Sequence, residues 1–125
     1  MESERSELGR WGEKQAARFL KTHGYRILEK NYVSSVGEID IVARDGDVLV
    51  FVEVKTRTDE ELGGPLEAVG RAKRRKLALV ARSFLQRHKL DDISCRFDVV
   101  GVTRAKGQKE PDIELVREAF TLGGH

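Results

Sequence analysis

The feature that most constrains this chain is a pair of Val/Ile-rich runs, residues 37–44 and 48–56, separated by Asp45-Gly46. Asp-Gly between two such runs signals a β-hairpin, because its tight turn needs backbone with positive φ. Taking Asp45 and Gly46 as the turn sets Arg44 opposite Asp47, Val42 opposite Leu49, Asp40 opposite Phe51 and Glu38 opposite Glu53. Side chains alternate along a strand, so Glu38, Asp40, Glu53 and Lys55 share one face. Asp40 and Glu53 become diagonal neighbours, roughly 7–8 Å apart at the backbone.

The second run is apolar on both faces, with Val48, Val50, Val52 and Val54 on one and Leu49 and Phe51 on the other. Such a strand belongs inside a sheet. Acids and a lysine at its end then need a reason, since like charges side by side repel unless a cation or a proton neutralises them. The ordinary alternative is a solvated charged face, with Glu53 and Lys55 pairing to neighbours. The apolar residues on that face favour a functional cluster. Magnesium prefers carboxylate oxygens, keeps part of its water, and is a natural neutraliser.

The rest of the chain reads as one domain. Its 125 residues contain no repeat or linker that would divide them, and that length buries one core. The polar residues 1–6 and the glycine-containing residues 121–125 read as flexible ends. Leu8, Ala16, Phe19 and Leu20 recur at helical spacing, predicting a first helix from Glu7 to His23 that stops at Gly24. Within it Gly9 and Gly12 leave room for another backbone, and Glu13 falls on or beside the core face. Strands are predicted over 25–33, 37–44, 48–56 and 96–102, with a short fifth at 112–116. A second helix covers 66–88, where Leu77, Val80, Ala81 and Phe84 form the apolar stripe.

Several function classes recede on composition. One cysteine, Cys95, allows no internal disulfide and fits a reducing compartment. His23, His88 and His125 are scattered, without metal-ligand spacing. The acidic start, Met1-Glu2-Ser3-Glu4, is not a secretory signal, and the apolar run Val48–Val52 is too short to cross a bilayer. A cytoplasmic protein without a membrane partner is expected.

Glu53-Val54-Lys55 matches the (D/E)-x-K half of the PD-(D/E)XK nuclease signature, and Asp40 stands thirteen residues earlier, where the first aspartate belongs. Ile39 occupies the place of the usual proline. A wider ordered set resembles the YraN family of uncharacterised bacterial proteins. It comprises Gly12-Glu13, Gly24-Tyr25, Ile27-Leu28, Gly37-Glu38-Ile39-Asp40, the run from Phe51 to Arg57, Glu67-Ala68-Val69, Lys73 and the run from Arg96 to Val100. The resemblance spans roughly Gly9 to Val102. It implies an α/β, restriction-endonuclease-like core in the order αβββαβ, a mixed central sheet flanked by helices, similar to archaeal Holliday-junction resolvases. It further implies Glu13, Asp40 and Glu53 as ligands of Mg2+ or Mn2+. Asp40, Glu53 and Lys55 would be the catalytic set, with Lys55 orienting water or stabilising the transition state. A homodimer follows by the same analogy.

Between Arg71 and Lys89 stand eight Lys/Arg residues and no acid. Arg71, Lys73, Arg74, Arg75 and Lys76 crowd the early helix, the footprint expected of a phosphate-backbone contact. A solvated helix face is the plainer alternative. Lys73 is among the residues that carry the resemblance and is expected nearest the site, and Arg57 is a further phosphate-contact candidate. The net charge of +2 adds little. No aromatic platform is apparent, so backbone and shape recognition of nucleic acid, DNA above all, is expected. The functional expectation is a Mg-dependent endonuclease, possibly structure-selective. The alternatives are a non-catalytic nucleic-acid-binding protein with the same fold and a charged protein-interaction module.

Overall fold

In the computed structural model, residues 6–58 and 70–120 are described. The elements are α1 (Glu7–Thr22), β1 (Arg26–Ser34), β2 (Gly37–Asp45), β3 (Val48–Thr58), α2 (Arg71–Arg87), β4 (Ser94–Arg104) and β5 (Asp112–Phe120). The predicted order is observed, with a full nine-residue fifth strand in place of a short one. The predicted start of the second helix, residues 66–69, lies outside the described residues.

The strands form one mixed sheet in the order β1-β2-β3-β4-β5. Among the described strands only β3 and β4 run parallel, and α2 lies in the crossover that a parallel pair requires. β3 is central, as its two apolar faces demand. Leu49 and Phe51 join the core beneath α2, with Leu77, Val80 and Phe84. Val50 and Val52 join the core beneath α1, with Ala16, Ala17 and Leu20.

Local chemistry sets the ends of α1. Ser6, at the edge of the predicted loose segment, is its N-cap, and its hydroxyl accepts the Gly9 N–H at 3.0 Å. At the other end Gly24 adopts φ 88°. The N–H groups of Gly24 and Tyr25 then reach the carbonyls of Lys21 and Leu20, the paired bonds that close a helix through a left-handed residue.

The β2–β3 turn differs from the expected one. Asp45 pairs with Val48 and Arg44 with Leu49, so Gly46 and Asp47 are the central residues. Gly46 carries φ 62°, and placing glycine first satisfies the turn without forcing Asp45 into that conformation. The register therefore moves by two residues. An even shift preserves which side chains share a face.

Candidate active site

The β2–β3 ladder runs from Asp45↔Val48 to Ile41↔Val52. Extending that register would set Asp40 directly across from Glu53, rather than diagonal to it. Instead of a backbone pair, the Asp40 carboxylate takes over: its Oδ2 accepts the Val54 N–H at 2.8 Å. Alternation breaks at the same point. Ile39 and Val42 both enter the core beneath α2, whereas Ile41 enters the core beneath α1. Across on β1, Asn31 sits between the Lys30↔Ile41 and Tyr32↔Ile39 pairs with φ 55°. Both strands are thus distorted where the aspartate stands.

Glu13 reaches this point because α1 packs tightly on β3. Gly12 is buried against Thr56, and a β-carbon at position 12 would overlap the Thr56 hydroxyl. A close approach does occur at Gly12, but by the Thr56 side chain rather than by another backbone. At Gly9 the near neighbour is only the capping Ser6 hydroxyl. With α1 so seated, Asn31 Nδ2 donates to Glu13 Oε1 at 3.0 Å.

The resulting electrostatics are those of crowded acids. Burial, then the charge of Glu53 and that of Glu13, push Asp40 up to about 8, against the Val54 N–H and Lys73, which pull it down. Glu53 is buried, and its Oε2 receives Lys73 Nζ at 2.9 Å from the first turn of α2. Burial opposes the lysine's charge, but the bond to Glu53 and the fields of Glu53, Asp40 and Glu38 outweigh it and hold the ammonium above its ordinary value.

The other predicted residues divide. Lys55 is half-buried and follows Glu53 by two positions on β3, so alternation aims it to the same side. Arg57 is half-buried near the end of that strand. The basic helix does not act as one patch. Lys73 turns to the acids, and Arg74 lies over the Phe120 ring at 5.6 Å. Arg71, Arg75 and Lys76 are exposed.

One polar cluster was not foreseen. Asp98, fully buried in β4, receives Tyr25 Oη at 2.7 Å, Arg96 Nε at 3.0 Å and the Glu118 N–H at 3.0 Å. Arg96 also holds Asp45 at 2.7 Å. Burial and the bond to Asp98 push the Tyr25 hydroxyl up to about 12. The available signal was Arg96 and Asp98 two apart, hence co-facial, in an otherwise apolar strand.

Among the described residues, no three His, Cys, Asp or Glu side chains are gathered as a ready metal cage. The donor chemistry still suits a hard cation. Asp40 and Glu53 are oxygen donors that repel one another at a buried point, and magnesium commonly binds through one or two protein carboxylates and retained water.

Similarity to known proteins bears on this region directly. A UPF0102 protein of Syntrophus aciditrophicus is 47% identical over 115 residues, covering 91% of this chain and 88% of the relative. One from Desulforapulum autotrophicum is 48% identical over 120 residues, covering 96% and 98%. One from Syntrophotalea carbinolica is 45% identical over 124 residues, covering 99% of each. The model of the uncharacterised protein family UPF0102 matches residues 12–102, a span that begins at the glycine seating α1 and includes Glu13, Asp40, Glu53 and Lys73. That extent of match makes the chain a member of the UPF0102 family, the YraN proteins its sequence resembles.

Proposed function

We propose that this protein is a divalent-metal-dependent endonuclease of the PD-(D/E)XK type that hydrolyses DNA phosphodiesters. The observation that carries the reading is the crowding of Asp40 against Glu53 where the β2–β3 ladder stops, with Glu13 and Lys73 beside them. Structural acids are normally spread apart or fully paired. These instead meet at a buried point, where burial and the charges of Glu53 and Glu13 push Asp40 up to about 8.

Asp40 and Glu53, with Glu13 beside them, would hold Mg2+ or Mn2+. Such an ion, held there, would supply hydroxide near neutral pH and offset charge on the scissile phosphate. The Val54 N–H fixes the Asp40 carboxylate, and Asn31 orients Glu13. Lys55 contributes a fixed positive charge where negative charge builds on the phosphoryl oxygens. Arg71, Arg75 and Lys76 offer exposed cations to the flanking backbone, so affinity falls as salt rises.

The test is incubation of the folded protein with branched, single-stranded and duplex DNA plus magnesium or manganese. Cleavage that disappears in Asp40→Asn and Lys55→Ala is expected. Intact substrate in every case removes the catalytic claim. A second reading, a non-catalytic nucleic-acid-binding protein with this fold, draws on the Lys73–Glu53 pair, which already supplies one positive charge to the acids. Calorimetric titration with manganese separates the two, since this reading requires DNA binding without metal binding.

A further inference from the structure

Lys73 stands between the two halves of the site. Its ammonium lies 2.9 Å from Glu53 Oε2, yet 46% of its side chain is exposed, against 8% for Glu53. It feels Asp40 and Glu38 as well as Glu53. It belongs to the same helical turns as Arg71, Arg75 and Lys76, which are exposed. A flexible four-carbon stem therefore carries one positive charge that has two competing destinations, a buried carboxylate and any phosphate brought to the basic face. The Lys73 ammonium and a metal ion would seek the same Glu53 oxygens.

We infer that Lys73 is a tethered stand-in for the divalent cation. It occupies Glu53 in the free protein and is drawn off by a nucleic-acid phosphate, so that metal and nucleic acid bind with positive coupling. The inference rests on the proposed metal site and adds its regulation. In the free protein the ammonium competes with the ion for Glu53. Once a phosphate takes the ammonium, Glu53 needs another cation. The same exchange keeps the ion weakly held until a substrate is present. Linkage is reciprocal, so metal must tighten nucleic acid by the same factor that nucleic acid tightens metal.

Manganese binding to the free protein is measured by calorimetry for wild type, Lys73→Met and Lys73→Arg. Removing the competitor is expected to tighten manganese on the order of tenfold in Lys73→Met, while Lys73→Arg stays near wild type. A purely structural ion pair gives the opposite sign, because its loss loosens the site. Unchanged or weaker binding in Lys73→Met overturns the inference and leaves the metal site standing. If none of the three proteins binds manganese, the inference and the proposed metal site both fall. A second measurement needs no variant. Fluorescence anisotropy of a labelled duplex with wild-type protein, at constant ionic strength, is expected to show on the order of tenfold tighter binding with Ca2+ than without. Equal affinities overturn the coupling.

Discussion

Two aspartates stand at breaks in the same sheet and receive opposite treatment. Asp98 lies at the register shift between β4 and β5, where its carboxylate accepts the N–H of Glu118, a residue with φ 51°. Asp40 lies where the β2–β3 ladder ends and accepts the N–H of Val54. Each carboxylate substitutes for a missing backbone acceptor. Asp98 then gains a guanidinium and a phenol, whereas Asp40 gains two further acids and only a share of Lys73. A buried charge that is paired and fully hydrogen-bonded holds structure together. One surrounded by like charge stores repulsion, which a cation can release. The difference separates a brace from a candidate binding site without reference to any ligand.

The sharpest way to break this contrast is Asp98→Asn. Arg96 would lose its buried partner, and stability should fall by roughly 3–5 kcal/mol in urea unfolding. A loss below about 1 kcal/mol would mean that Asp98 is no brace. Gly12→Ala should rank next, at about 2 kcal/mol from overpacking against Thr56. It should also displace Glu13 and so lower the titration midpoint of Asp40, followed by carboxyl NMR, while leaving the Asp98 cluster unmoved.

Asp40→Asn should have the opposite sign. Because the folded midpoint lies near 8, above the usual 3.8, the folded protein holds a proton that the unfolded chain has released. Stability is full below about pH 4 and is lost as pH rises to about 8. The variant should therefore be more stable than wild type at pH 8.5 and indistinguishable near pH 4, without added metal. Equal thermal midpoints at both pH values would remove the distinction between the two aspartates. The smallest effect belongs to Tyr25→Phe, about 1.5 kcal/mol for a hydroxyl that donates to Asp98 and accepts from Arg96. Its raised midpoint means that the hydroxyl's contribution persists below pH 10 and fades toward pH 12, a window that alkaline unfolding curves would reveal.

The same contrast explains what could be read from residues alone. Period-two patterning located β2 and β3, and their apolar faces fixed β3 at the centre. The turn was misplaced by one residue, and the register by two, because Asp-Gly does not say which neighbour joins the glycine at the apex. Parity survived that error as far as Ile41, and although alternation breaks at Asp40, it and Glu53 still came together. Hydrophobic period does not encode a ladder that stops just short of Asp40, so the carboxylate's role as a backbone acceptor was invisible. Asn31 escaped notice because its importance lies in a left-handed backbone and one bond to Glu13. The basic run looked uniform in sequence. Helical geometry divides it among an acid contact, an aromatic contact and exposed cations. Asp98 was missed because an acid in a hydrophobic strand announces its partners only after Tyr25, 73 residues away, has been folded onto it.

The junction of Gly12 with Thr56 has a consequence for how this sequence can vary. A helix docked through a missing side chain has no tolerance on that side, so positions 12 and 56 form a single steric allowance divided between two residues. Enlarging one is admissible only if the other shrinks. A library randomised at both sites should yield functional clones whose residue volumes are anticorrelated.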